Sequence, residues 1–135
     1  MEQFAEYGHA ILSLALWALL VLFLSGMSLR GRTPENRCDC GKPKRDYANP
    51  VYRAERAFQH AIETSGPFLS ATLAAMLAGA APFWVNVFAS LFILARIAMA
   101  VVHIGTENQP MRSLTYGISW LCVIVLAILA IVAVF

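Results

Sequence analysis

Apolar and polar positions fall along this chain in long blocks. Ala10 to Leu29 is 20 residues without Asp, Glu, Lys or Arg, and about 20 apolar residues let a helix cross ~30 Å of hydrocarbon. Thr64 to Ala95 is uncharged for 32 residues. That is too long for one upright span, and Gly79-Ala80-Ala81-Pro82 punctuates its middle, where proline breaks or starts a helix. Ser113 to Phe135 adds another 23. The pattern predicts four spans at about 8–29, 54–80, 83–105 and 112–134, with a polar loop over about 30–52. The expected fold is all-α: one domain, residues 1–135, an integral membrane four-helix bundle running up and down.

Composition narrows the classes. The chain is 59% hydrophobic and 13% charged, against about 25% charged in a soluble domain. A soluble domain of 135 residues has too little interior to hide so much apolar surface. A net charge of +2 supplies no general basic field, so no nucleic-acid partner is expected. The first apolar run is expected to be a retained span. Acidic Glu2 and Glu6 precede it, and it exceeds the roughly 7–15 residues of a secretory h-region.

Charge is unevenly placed. Eight of the ten Lys and Arg lie between Arg30 and Arg56. By the positive-inside rule this puts the first loop in the cytoplasm and both termini on the opposite side. Within the loop, Cys38-Asp39-Cys40-Gly41 resembles half a zinc knuckle, but a structural zinc site takes four ligands and no second pair exists. No metal is expected, and the two cysteines read as free thiols in a reducing compartment.

The ionisable residues inside the spans are the informative ones, because each costs several kcal/mol in hydrocarbon unless it faces a polar interior. Arg53, Arg56, His60 and Glu63 share one stripe of a helix of 3.6 residues per turn. Arg96 and His103 share a face of the third span, and Arg112 and Tyr116 stand one turn apart at the start of the fourth. The plain alternative is snorkelling of Arg53, Arg56 and Arg112 to headgroups, with a structural ion pair between Glu63 and Arg96. Snorkelling does not predict that three spans place their cations toward the same end. That agreement describes a pocket for an anionic ligand, and the planar guanidinium fork suits carboxylates.

Two blocks carry a family resemblance. One is Arg56-Ala57-Phe58-Gln59-His60-Ala61-Ile62-Glu63, followed by Pro67-Phe68-Leu69. The other is Ala95-Arg96-Ile97, then His103, then Pro110-Met111-Arg112-Ser113-Leu114-Thr115-Tyr116. Together they resemble the MAPEG family, the membrane-associated proteins in eicosanoid and glutathione metabolism. The resemblance runs over essentially the whole chain.

It implies a homotrimer with glutathione as co-substrate, held between subunits near the cytoplasmic side. Arg53, Arg56 and Glu63 match positions that hold glutathione or organise its pocket. Arg112 matches the arginine that stabilises the thiolate, Ser113 the serine beside it, and Tyr116 an aromatic lining the tripeptide. His60, Arg96 and His103 complete the expected binding set. His60 stands where the family has Asn, His103 where it has a Tyr, and Phe58 where a His or Gln is usual; Arg30 or Arg32 could match an arginine at the end of the first helix. The implied function is a membrane-bound glutathione-dependent transferase or peroxidase attacking a lipophilic electrophile or hydroperoxide. Alternatives are a non-catalytic lipid- or thiol-binding protein of the same fold, or a structural partner in a membrane complex. A small multidrug transporter is disfavoured, since that class needs a Glu in its first helix and Leu12 to Leu29 has no acid.

Overall fold

A computed structural model describes residues 2–135. A 3-10 turn, Glu2–Tyr7, leads into four helices: α1 (Gly8–Leu29), α2 (Pro50–Leu77), α3 (Pro82–Gly105) and α4 (Gln109–Val134). Each boundary has a local cause. Asn49 accepts a hydrogen bond from the Val51 amide at 2.9 Å, and Pro50 sits at the first turn, so α2 starts before the expected residue 54. Likewise Asn108 caps α4 through the Met111 amide at 3.1 Å, and α4 starts before residue 112. At the other end of α2, Gly79 (φ +72°) donates to the Met76 carbonyl and Ala80 donates to that of Ala75. These paired bonds form a Schellman motif, so α2 stops at Leu77 instead of running to residue 80. Pro82 then opens α3.

α1, α3 and α4 are long and apolar enough to cross a membrane. α2 has 28 residues, about 42 Å at 1.5 Å per residue, and carries Arg53, Glu55, Arg56 and Glu63 in its first half. α2 and α3 form the central pair. α1 packs on both of them and so does α4, while α1 and α4 make at most slight contact with each other. Between α1, α2 and α3, Phe68 stacks on Phe92 with ring centroids 3.8 Å apart, and Trp17 meets both edge-on. Trp17 also donates its indole N–H to Ser65 Oγ at 3.0 Å. In a bilayer, lipid tails are as apolar as the core, so close packing and such polar contacts hold the helices together. Ala71 and Ala75 of α2 are buried within the chain, whereas Ala74 is exposed.

The two ends of the bundle are closed differently. At the α2–α3 turn, Tyr7 donates its hydroxyl to the Ala80 carbonyl at 2.5 Å. Asn86 accepts from the Ala10 amide at 2.9 Å and donates to the Glu6 carbonyl at 2.7 Å, supplying partners at the change from 3-10 to α geometry. At the opposite end the loop between α1 and α2 folds back on itself. Its Cys38 amide donates to the Lys42 carbonyl and its Lys44 amide to the Asn36 carbonyl. Cys38 and Cys40 are joined as a disulfide, contrary to the expected free thiols, because the turn at Gly41 (φ +78°) brings them together at its tip. Gly31 has φ +75°, and a Cβ there would meet Val51 Cγ2 at 2.8 Å, so glycine lets the start of the loop pass close over α2.

Candidate functional site

The C-termini of α1 and α3, the N-termini of α2 and α4 and the first loop gather at one end of the bundle. A cavity of about 530 Å³ opens there, lined by Arg45, Tyr47, Tyr52, Arg56, His60, Gln109 and Arg112. A smaller one of about 120 Å³ adjoins it, lined by His60, Met99, Arg112, Ser113 and Tyr116. His60 and Arg112 are walls of both. Three guanidiniums and no carboxylate line the larger cavity, so its field favours an anion.

Five of the nine residues expected from sequence thus line these cavities: Arg56 and His60 from α2, and Arg112, Ser113 and Tyr116 from α4. Four do not. Arg53 shares the stripe with Arg56, but its guanidinium is buried and donates to the carbonyls of Tyr47 (2.9 Å), Ala48 (2.8 Å) and Ile104 (3.3 Å). It clamps the loop to the end of α3. Glu107 Oε1 lies 3.7 Å from it. Glu63 is exposed on the outer side of α2, with Oε2 at 3.3 Å from His60 Nδ1, an approach without hydrogen-bond geometry. The alternative ion pair between Glu63 and Arg96 is not formed. Instead the buried acid near this end is Glu55, which is salt-bridged to Arg32. Arg32 also donates through Nε to the Ser28 carbonyl at 2.7 Å, so it ties α1 to α2 and leaves the cavity to others.

Arg96 lies deeper. Its guanidinium is buried between the Trp17 and Tyr116 rings, 5.3 and 5.6 Å from their centroids, and Nη1 reaches Met99 Sδ at 3.4 Å. His103 is buried beside His60 (centroids 5.9 Å apart) and Tyr47 (5.9 Å). Nη2 of Arg96 and Nε2 of His103 have no hydrogen-bond partner among the described residues. A ladder of rings and cations therefore leads inward from the cavity: Tyr47, His103, His60, Tyr116, Arg96.

Tyr47, Arg45, Tyr52, Gln109 and Met99 were not picked out by sequence. Tyr47 is the most engaged of them. Arg112 Nη1 donates to its hydroxyl at 2.7 Å, and the Arg112 guanidinium lies 5.3 Å from its ring centroid. Loop residues have no periodicity to betray their direction; the one available signal was an aromatic placed just before the Asn49-Pro50 helix start.

The MAPEG family model matches residues 10–132. Prostaglandin E synthase of Homo sapiens and that of Macaca fascicularis are each 32% identical over 89 residues, covering 65% of this chain. The match spans 59% of the length of each of these curated relatives. A family match over nearly the whole length, an all-helical bundle and three helices able to cross a membrane agree with one another. The chain belongs to the MAPEG family, a glutathione-related family of helical membrane proteins.

Proposed function

We propose that this protein is a membrane-bound, glutathione-dependent transferase or peroxidase. One observation carries the reading: Arg56 of α2 and Arg112 of α4 line a single cavity of about 530 Å³. That volume lies within the roughly 300–1,000 Å³ of small-molecule sites. Glutathione carries two carboxylates and one ammonium, and a cavity lined by three guanidiniums and no carboxylate suits its net negative charge. Arg45 and Arg56 hold the carboxylates, and Arg112, with Ser113 beside it, faces the sulfur.

The thiolate is the nucleophile, and a free thiol with pKa about 8.5 is mostly protonated at neutral pH. A guanidinium favours the charged form, the more so where water is excluded. Thiolate attack on an electrophilic carbon expels the leaving group with its electron pair. Attack on the terminal oxygen of a hydroperoxide gives a sulfenic acid and an alcohol, the alkoxide taking up a proton. A second glutathione then forms the disulfide and water. The second substrate reaches the site from the bilayer in this reading.

The assembly is a homotrimer in this reading, with the exposed carboxylate of Glu63 covered by a neighbouring copy. The loop and cavity face the cytoplasm and both termini the other side. The test is turnover by purified, reconstituted protein of glutathione with 1-chloro-2,4-dinitrobenzene or an organic hydroperoxide. Turnover that disappears in Arg112→Ala supports the proposal. Glutathione binding with no turnover on either substrate class leaves a thiol-binding protein, and absence of binding removes the reading altogether.

A further inference from the structure

Tyr47 is held in place more firmly than a loop residue requires. Its carbonyl accepts from the buried Arg53 guanidinium at 2.9 Å, and that same guanidinium grips Ala48 and Ile104. The ring stands edge-on to His103, with interplanar angle 80°. The hydroxyl oxygen accepts from Arg112 Nη1 at 2.7 Å. Arg112 has no lone pair to accept with, so it donates into a lone pair of the phenol oxygen and leaves the phenolic hydrogen free to point elsewhere. The other polar neighbour, His103 Nδ1, is 3.5 Å away, too far for a firm bond. A preorganised O–H donor thus lines the larger cavity next to the guanidinium that faces the sulfur.

Resting on the function proposed above, we infer that Tyr47 is a second thiolate-stabilising residue: its hydroxyl donates a hydrogen bond to the glutathione sulfur while Arg112 polarises it. Arg112 withdraws electron density from the phenol oxygen, which makes the O–H a stronger donor. Hydrogen bonding to the charged form of the sulfur lowers the thiol pKa, and the released proton goes to water in the open cavity. The loop is in this way part of the active site, and Arg53 is a positioning residue that acts through Tyr47.

The experiment is a pH titration of the ultraviolet absorbance of enzyme-bound glutathione thiolate, with kcat and KM measured alongside. Tyr47→Phe keeps the ring and removes only the donor. It is expected to raise the titration midpoint by about one pH unit, a tenfold loss of rate at neutral pH, recovered at high pH. The KM for glutathione and the thermal unfolding midpoint stay at wild-type values. Replacement of Tyr47 by 3-fluorotyrosine, a stronger donor of nearly the same shape, should lower the midpoint. It supplies the answer even if the phenylalanine variant folds poorly. A midpoint unmoved by both substitutions overturns the inference. If Arg112→Ala abolishes the thiolate while both Tyr47 variants leave it unmoved, the inference falls and the function stands. If the wild-type protein binds glutathione without forming thiolate, both fall.

Discussion

The two ends of the helix bundle solve the same problem with opposite outcomes. Both join distant segments through polar side chains, and both have a left-handed glycine, Gly79 at one end and Gly31 at the other. At the α2–α3 turn the polar groups of Tyr7 and Asn86 meet specific backbone partners, and no Arg or Lys lines the mostly apolar cavity beside them. At the loop end, cations outnumber acids around a cavity. Three of the four buried side-chain polar atoms without a partner, among the described residues, belong to His60, Arg96 and His103 at that end. Unsatisfied buried polar groups are destabilising, so their concentration in one place supports reading that end as the candidate site.

Substitutions can break that contrast in a graded way. The largest expected effect is Arg112→Ala, which should reduce glutathione turnover about a hundredfold, as loss of one preorganised charge-stabilising donor does; steady-state kinetics read it. Arg56→Ala should weaken glutathione binding by about 1.5–3 kcal/mol, the range for a hydrogen bond to a charged group. Isothermal titration would reveal this, with little change in thermal stability. Asn86→Leu should do the reverse. It leaves the Ala10 amide and the Glu6 carbonyl without their partners at about 1–3 kcal/mol of stability, with glutathione affinity untouched. Equal effects of Asn86→Leu on binding and on unfolding would dissolve the distinction between the ends. The smallest pair is the sharpest comparison. Gly79→Ala has open space around the new Cβ and should cost only about 1–2 kcal/mol for its left-handed backbone. Gly31→Ala adds a collision with Val51 at 2.8 Å. It should lose more stability than Gly79→Ala and, by displacing the loop, slow turnover as well.

Much of this was legible because charge and hydropathy vary in blocks. The uncharged runs and the Gly79–Pro82 punctuation gave four helices and the turn between the second and third. The start of α2 was less visible: Pro50 to Arg53 follows a polar, proline-containing loop and reads as its continuation until the Asn49 cap and the first-turn proline are recognised. Helical periodicity put Arg53, Arg56 and His60 on one face correctly, but it reports direction and not reach. Three residues separate an arginine committed to three carbonyls from one that lines the cavity, and only the position of the loop decides between them. Glu63 shows a second limit: it lies at the edge of the stripe, and its side chain is exposed on the outer side of α2. The Cys38–Cys40 bond depends on a turn whose geometry no spacing rule announces.

Because α1 and α4 lie on opposite sides of the α2–α3 pair, each copy presents two separate flanks to its surroundings. One flank can be occupied by association with a sister chain while the other stays bare. In the proposed function, molecules dissolved among the acyl chains would meet that bare flank without ever crossing into water. Under the proposed function, such a protein would sample its oily reactant by two-dimensional diffusion and its water-soluble one from the adjoining aqueous phase.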